Sequence, residues 1–292
     1  MGRRPDHVCR QAPGSALMAW YAGDAGGRLW YEERGTGTPV VFIHGWCMSS
    51  AVWRLQLEGL SHDFRVITID LPGHGSSPPL AGGFHVKGCA AEVAGLCESL
   101  DLHDALLVGW SLGSLIALEA SLLLSERLSG LVLTAGTPRF TQGDGFPYGL
   151  SIVEVEGMAR KVQRSLRRAL DGFTARMFAP GELDDPSLAV MVQELLSTVP
   201  MPTSDVAIQA LDALVETDQR DRLALIDLPT LIMNGDSDVI CLPQASAFLA
   251  ERITSARQMV FAGCGHAPFL TQSRRFNACL EEFGGMVSGR AH

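Results

Sequence analysis

The stretch "LLVGWSLGS" (106–114) leads an apolar run directly into a serine that stands between two glycines. Gly109 and Gly113 flank Ser111 in the pattern G-x-S-x-G, and a segment with helical periodicity follows at 115–128. A sharp turn from a strand to a helix exposes its central residue and leaves no room for side chains two positions away. The pattern therefore predicts a nucleophilic serine at the amino end of a helix, where the helix dipole favours negative charge. A glycine-rich turn that ends in a capping serine is the alternative.

Short apolar runs like the one before Ser111 recur along the chain and predict strands. They lie at 17–22, 28–33, 39–45, 64–73, 105–111, 128–136, 229–236 and 257–263. The first two alternate and predict an antiparallel edge, whereas the later runs are nearly continuous in Val, Ile and Leu, as in parallel strands covered on both faces. Segments of helical period separate the later strands. The alternation predicts an α/β fold with a mostly parallel eight-stranded sheet flanked by helices.

Residues 138–218 interrupt this alternation, because strand-like runs are absent and helical periods are found at 155–178, 185–199 and 204–216. An insertion at the carboxyl edge of a parallel sheet covers the crevice where such folds bind ligands. We therefore expect a helical lid at 138–218 and a core formed by 16–137 and 219–292. Residues 1–15 are expected to be a disordered N-terminal extension.

Composition restricts the classes of function. The 292 residues are 47% hydrophobic and carry a formal net charge of −9, which suits one large core and argues against a general affinity for nucleic acid or anionic membrane. No apolar run is long enough to span a bilayer, and the seven cysteines are scattered as in a reducing compartment. No histidine or cysteine cluster has metal-ligand spacing. We expect a cytoplasmic monomer that needs no metal and no cofactor.

A serine nucleophile needs a base, which in turn needs an orienting acid. The loop "VFAGCGHAPF" (260–269) places His266 just after the last predicted strand. The rival histidines all precede the serine; they are His44, His74 and His85. His266 is therefore the predicted base.

The loop "LIMNGDSDVI" (231–240) offers Asp236 and Asp238 as the acid, and loop geometry alone does not choose between them.

A tetrahedral intermediate also needs two hydrogen-bond donors for its oxyanion. The backbone N–H of Leu112 follows the nucleophile, and that of Trp46 lies in "HGWCMSS" (44–50), where Gly45 lets the chain turn. An ordinary turn at the end of a strand is the alternative for the second stretch.

With these motifs in order, the chain resembles the α/β-hydrolase superfamily from about residue 16 to residue 288. The matching stretches are "HGW" (44–46), "DLPGHGSS" (70–77), "GWSLGS" (109–114), "GDSD" (235–238) and "GHAPF" (265–269). Within the superfamily, "HGWCMSSAVW" (44–53), "STVPMPTSDV" (197–206) and "ALDALVETDQRDRL" (210–223) are similar to the pimeloyl-[acyl-carrier protein] methyl ester esterase family. The resemblance implies a serine carboxylic-ester hydrolase that acts on a medium-chain acyl ester in biotin synthesis. The alternative is a generalist carboxylesterase or another α/β-hydrolase with the same triad.

The resemblance also implies roles for individual residues. The family nucleophile falls on Ser111, the base on His266 and the acid on Asp238, so that the resemblance decides a choice which the loop left open. The oxyanion donors fall on Trp46 and Leu112. Trp110 is expected to wall the acyl channel. The lid stretch that touches the substrate in the family corresponds to Met158, Ala159, Arg160, Lys161 and Val162.

That lid stretch departs from the family pattern, with a methionine where an aromatic residue is usual and basic residues where amides are usual. Arg160, Arg164 and Arg168 have i, i+4 spacing on the expected helix 155–178. We hypothesise that this basic face docks the acidic surface of an acyl carrier protein. A solvated helix face with no partner is the alternative.

Overall fold

The computed structural model describes residues 17–23 and 28–289, so that the expected extension at 1–15 lies outside the described residues. The described chain forms one eight-stranded sheet in the order β1-β2-β4-β3-β5-β6-β7-β8. The strands are β1 Leu17–Ala22, β2 Arg28–Arg34, β3 Thr38–Ile43, β4 Phe64–Asp70, β5 Ala105–Trp110, β6 Leu128–Thr134, β7 Thr230–Gly235 and β8 Ala256–Phe261.

The pairing of the strands confirms the predicted mostly parallel sheet. β1 pairs with β2 and β2 with β4 in antiparallel fashion, while every other neighbouring pair is parallel. All residues of β5 and β7 are buried. These two strands carry continuous apolar runs because helices cover both faces of the sheet.

Helices pack on both faces of the sheet and follow the strands in sequence. In the described part of the chain they are α1 Arg54–Leu60, α2 Val86–Ser99, α3 Leu112–Leu123, α4 Ile152–Arg164, α5 Leu166–Arg176, α6 Pro186–Ser197, α7 Ser204–Glu216, α8 Pro243–Arg252, α9 Pro268–Thr271 and α10 Ser273–Val287. Two short 3₁₀ helices span Ser50–Trp53 and Arg220–Leu225. None of these helices combines the length and the apolar character that crossing a bilayer requires.

The prediction of one continuous helix at 155–178 is wrong, because the helix is interrupted at Ser165. This residue is extended (φ −167°, ψ 101°), ends α4 and begins α5, and its hydroxyl accepts from the N–H of Arg168. Serine is favoured at such a position because its hydroxyl accepts from an N–H that the helix leaves unpaired. Arg160 and Arg164 therefore lie on α4 and Arg168 on α5, so that the three do not form one i, i+4 row.

The four helices α4 to α7 lie between β6 and β7 in sequence. The two ends of the insertion meet beside the sheet, where Arg139 forms an isolated antiparallel bridge with Asp218 and pairs with its carboxylate at 3.1 Å. The N–H of Gln219 donates to the carbonyl of Pro138 at 2.9 Å. The insertion thus leaves and rejoins the core at one point.

Candidate active site

Ser111 occupies the tight turn between β5 and α3. Its backbone is left-handed, with φ 55° and ψ −116°, and the residue is 4% exposed. A Cβ on Gly109 would lie 2.3 Å from the carbonyl oxygen of Gly113, and a Cβ on Gly113 would lie 2.4 Å from the carbonyl oxygen of Ile43. Both glycines are therefore required by close backbone packing. A non-glycine residue in this conformation costs about 1 to 3 kcal/mol, which the surrounding contacts must offset.

Neighbouring strands and the first turn of α3 hold the turn in place. The N–H of Ser111 donates to the carbonyl of Thr134 at 3.0 Å. The hydroxyl of Ser114 donates to the carbonyl of Ser111 at 2.6 Å. Ser114 thus adds a side-chain hydrogen bond to the turn.

His266 and Asp238 form a hydrogen-bonded pair. The Nδ1–H of His266 donates to Oδ2 of Asp238 at 2.7 Å, and both side chains are fully buried. The other oxygen, Oδ1, accepts from the N–H groups of Ile240 at 2.8 Å and Cys241 at 3.1 Å. Both oxygens of Asp238 thus accept hydrogen bonds, which fixes the orientation of this carboxylate. The carboxylate in turn fixes the imidazole of His266 with the proton on Nδ1, so that Nε2 can accept a proton.

Asp236, the other candidate acid, is turned away from this pair. It is exposed, and its Oδ1 accepts from the N–H of Gly263 and the hydroxyl of Ser237, both at 2.9 Å. Asp236 therefore joins the loop after β7 to the loop after β8. The structure brings Asp238, and not Asp236, to His266.

The rival histidines have structural partners elsewhere. Nε2 of His44 accepts from the N–H of Leu71 at 3.0 Å, and Nδ1 of His74 lies 3.1 Å from the carbonyl oxygen of Pro72. Burial lowers the pKa of His44 to about 4 and that of His74 to about 3. His85 caps α2 and accepts from the N–H of Gly88.

The predicted oxyanion donors border the serine turn. Leu112 is the first residue of α3, so its N–H is among those that have no intrahelical acceptor. Gly45 lies against the turn, because a Cβ there would be 3.2 Å from Cβ of Ser111. The N–H of Met48 donates to the carbonyl of Gly45 at 3.2 Å. Trp46 is therefore at the second position of a tight turn, where its N–H is not used by the turn itself.

The hydroxyl of Ser111 and the imidazole of His266 are not yet joined by a hydrogen bond. The thiol of Cys241 lies beside the Ser111 side chain, and its pKa is raised well above its usual value by burial and by the charge of Asp238. Within the described residues, Nε2 of His266 has no hydrogen-bond partner. Catalytic hydrogen bonds are often long before substrate binds, so this geometry is compatible with a base at His266.

A small apolar cavity adjoins Ser111 beneath the inserted helices. Its volume is about 10 Å³, which is room for about one water molecule. The core contributes Trp46 and Ile240, and the start of the insertion contributes Phe140. The inserted helices contribute Met158, Phe173, Leu211 and Leu214. The serine is therefore roofed by apolar side chains from α4, α5 and α7.

Of the predicted lid contacts, only Met158 lines this cavity. Arg160 and Lys161 are exposed, and Arg160 pairs with Glu156 at 3.6 Å. Val162 is buried in the packing of α4. The basic side chains of this stretch face solvent because the apolar face of α4 is the one that packs on the core.

The indole N–H groups of Trp110 and Trp46 hold neighbouring elements in place around the site. The indole N–H of Trp110 donates to the carbonyl of His266 at 2.8 Å, so that Trp110 supports the histidine loop and does not line the cavity. The indole N–H of Trp46 donates to the carbonyl of Ala207 on α7 at 2.9 Å. The ring of Trp46 also packs edge-on against Phe173 at 5.1 Å. Trp46 thus joins the loop after β3 to the inserted helices.

Three further residues lie beside the serine and were not predicted from the sequence: Phe140, Ile240 and Cys241. Ile240 and Cys241 follow Asp238 within three residues, and this proximity was a usable signal. Phe140 comes from an irregular segment after β6 and had none. In the ranges 17–23 and 28–289, no group of three or more His, Cys, Asp or Glu side chains is arranged to hold a metal ion.

Comparison with known proteins identifies the family of the chain. The family model described as alpha/beta hydrolase fold matches residues 38–273. The chain is 32% identical to the pimeloyl-[acyl-carrier protein] methyl ester esterase of Nitrosomonas europaea, over 86% of this chain and 97% of that protein. It is also 32% identical to the esterase of the same name from Aeromonas hydrophila, over 87% and 98%. These similarities confirm the resemblance seen in the sequence motifs.

Solved structures give the same result for the fold. An esterase from Exiguobacterium antarcticum superposes with a TM-score of 0.84 at 30% identity, covering 91% of this chain and 98% of that one. A bromoperoxidase from Bacillus anthracis superposes with a TM-score of 0.81 at 28% identity, covering 92% and 99%. The eight-stranded sheet, the serine turn and these matches together place the chain in the α/β hydrolase fold family.

Proposed function

We propose that this protein hydrolyses the methyl ester of pimeloyl-[acyl-carrier protein] through an acyl-enzyme on Ser111. One observation carries the proposal: the chain matches the esterases of that name over nearly their whole length, including 97% of the Nitrosomonas europaea protein. The buried hydrogen-bonded pair of His266 and Asp238 and the strained, roofed serine support the chemistry.

In the proposed reaction, the hydroxyl of Ser111 turns from Cys241 to Nε2 of His266 and attacks the ester carbonyl. His266 takes the hydroxyl proton, and Asp238 stabilises the imidazolium through Nδ1. The N–H groups of Leu112 and Trp46 stabilise the oxyanion. When the tetrahedral intermediate collapses, His266 returns the proton to the leaving alkoxide and methanol departs. Water then attacks the acyl-enzyme by the reverse proton path, which regenerates Ser111 and releases the carboxylic acid.

The size of the cavity indicates how substrate enters. A cavity of about 10 Å³ cannot hold a seven-carbon acyl chain. A larger groove of about 600 Å³ lies between α5 and α6 and reaches Cys47 and Met48, directly after Trp46. Its wall is mainly apolar, with Arg167 and Asp171 among its charged residues. We propose that the inserted helices separate on binding, and that this groove receives the arm which tethers the acyl chain to its carrier.

The exposed arginines of the insertion support a carrier-protein substrate. Arg160 and Arg164 on α4 and Arg168 on α5 are all exposed in a protein of formal net charge −9. A local basic face on an acidic protein steers an acidic partner to one surface. These three arginines are spread over two helices, so they do not form a single i, i+4 row.

Charge reversal tests this docking. R164E is expected to lower kcat/KM for a carrier-bound acyl ester about tenfold, because it replaces attraction by repulsion in the encounter. Hydrolysis of p-nitrophenyl butyrate should not change. R54E, which reverses an exposed arginine on α1, is the matched control and should leave both substrates unaffected. Equal losses on both substrates in R164E contradict docking.

The function itself is tested by complementation. The wild-type gene should restore growth without biotin to a strain that lacks its pimeloyl esterase, and S111A should not. Fluorophosphonate should label the wild type and leave S111A unlabelled, because the label bonds to the nucleophile. Labelling without rescue favours a generalist carboxylesterase, a second candidate supported by the likeness to the Exiguobacterium antarcticum esterase.

A further inference from the structure

The segment that follows α5 runs directly over the histidine loop. We call residues 177–182 the strap. The N–H of His266 donates to the carbonyl of Met177 at 2.7 Å, and the N–H of Gly265 donates to Oε2 of Glu182 at 2.7 Å. The inserted helices are therefore hydrogen-bonded to the two residues that form the turn at the proposed base.

Glu182 gathers donors from three places. Its Oε2 accepts from Gly265 and from the N–H of Ala179 at 2.7 Å, and its Oε1 accepts from the hydroxyl of Thr271 at 2.6 Å. One carboxylate thus joins the strap, the histidine loop and α9. Hydrogen bonds to an ionised carboxylate are short and about twice as strong as those between neutral groups.

We infer that Glu182 is a positioning residue for His266. The inference rests on His266 acting as the base in the proposed function. The imidazole is fixed from one side by Asp238, and the loop that carries it is fixed by Glu182 and Met177 from the strap. Trp110 holds the carbonyl of His266 from the sheet side. A base must hold Nε2 within hydrogen-bond reach of the serine, and a displacement of about 1 Å costs about a hundredfold in rate.

The packing of Gly265 supports this assignment. A Cβ at position 265 would lie 2.4 Å from the carbonyl oxygen of Met177 and 3.0 Å from the nitrogen of Ala179. The strap can therefore lie against the histidine loop only because residue 265 has no side chain. Since the two backbones touch at this point, the strap and the loop move together.

Two substitutions of Glu182 are expected to differ in how many of its three hydrogen bonds they keep. In E182Q the amide oxygen can take the place of Oε2 and accept both N–H groups, while the amide nitrogen donates to the hydroxyl of Thr271, which can accept. In E182M the side chain keeps its length but offers no strong acceptor, so that the N–H of Gly265 loses its partner. The two variants differ mainly in hydrogen bonding, because their side chains have similar sizes.

The test is steady-state hydrolysis of p-nitrophenyl butyrate by E182M and E182Q at a temperature well below the unfolding of each variant. We expect E182M to lower kcat at least about tenfold with little change in KM. E182Q should stay within about threefold of the wild type. E194Q, at an exposed carboxylate on α6, is the matched control and should behave as the wild type does.

A residue with a purely structural role gives a different pattern. If E182M lowers the melting temperature but keeps the wild-type kcat, or if E182Q is as slow as E182M, the inference is overturned. Should E182M fail to fold, the T271V variant tests the same inference. It removes the hydroxyl that donates to Oε1 of Glu182 and leaves the N–H groups that donate to Oε2. A kcat lowered about threefold at constant KM supports positioning, and an unchanged kcat overturns it. S111A is assayed in parallel: if it still hydrolyses the ester, the proposed function fails, independently of the result for Glu182.

Discussion

Acidification should destabilise the protein through two buried imidazoles. His44 and His74 are both fully buried, with ring centroids 5.2 Å apart. Burial lowers the pKa of His44 to about 4, and burial together with the charge of His44 lowers the pKa of His74 to about 3. The unfolded chain binds protons at both residues near pH 6.5, whereas the folded chain does not. Their contribution to stability is therefore complete above pH 6.5 and is lost as the pH falls.

The size of the effect follows from these pKa values. Between pH 7 and pH 5 each histidine costs about 2 kcal/mol, so the two together remove about 4 kcal/mol of the free energy of unfolding. Asp70 acts in the opposite sense, because burial raises its pKa and the folded state then takes up a proton more readily than the unfolded state. A loss of about 4 kcal/mol is a large part of the 5 to 15 kcal/mol by which domains are stable.

Urea unfolding followed by circular dichroism at pH 7 and pH 5 measures this loss. In H74N the amide can still donate to the carbonyl of Pro72 but does not titrate, so the loss between the two pH values should fall to about 2 kcal/mol. H62N, at an exposed histidine, should show the full wild-type loss. If H74N loses as much stability on acidification as the wild type, the buried imidazole of His74 is not the cause and the reasoning fails.

Two further predictions concern the acid and the serine turn. D238N should lower kcat for p-nitrophenyl butyrate by about 10⁴, because an amide can stabilise the wrong tautomer of His266, whereas D236N should stay within a few-fold of the wild type; equal effects contradict the assignment of Asp238. G113A should reduce the free energy of unfolding by about 3 kcal/mol, since its Cβ would lie 2.4 Å from the carbonyl oxygen of Ile43; an unchanged urea midpoint contradicts the requirement for glycine there.

The sheet and the serine turn were predictable because their signals are local. Continuous Val, Ile and Leu runs predict strands covered on both faces. The glycines at positions 109 and 113 around Ser111 indicate a turn in which a side chain would collide with the neighbouring backbone. These patterns lie within a few residues of the feature they predict. Family membership then follows from the order of the motifs along the chain.

The break in the inserted helices was missed although a local signal existed. Ser165 lies in a run of residues that favour helix, and the helical period continues across it, so periodicity alone predicts one helix. The signal was the serine itself, whose hydroxyl caps α5. Capping competes with helix propagation, and here the extended backbone of Ser165 ends α4 and lets its hydroxyl cap α5.

The selection of Asp238 and the contacts of Glu182 depend on long-range geometry. Asp236 and Asp238 are two residues apart in one loop, and only the positions of β8 and the histidine loop decide which carboxylate meets the imidazole. Glu182 contacts Gly265 across 83 residues. No pattern near either residue reports such a contact, because it arises from how the insertion folds back onto the core.

The site divides its roles between the core and the insertion, with one exception. Ser111 and Asp238 follow strands β5 and β7, and their backbone partners belong to the core, whereas five of the side chains around the cavity come from the insertion. Changes in the insertion should therefore alter substrate binding more than chemistry.

His266 is the exception to this division, because its loop is hydrogen-bonded to Met177 and Glu182 of the insertion. If the inserted helices move to admit an acyl chain, the strap must remain on the histidine loop, and the motion must be confined to the parts of the insertion before position 177 and after position 182. Motion of the strap itself would displace the base from the serine at the moment when substrate enters.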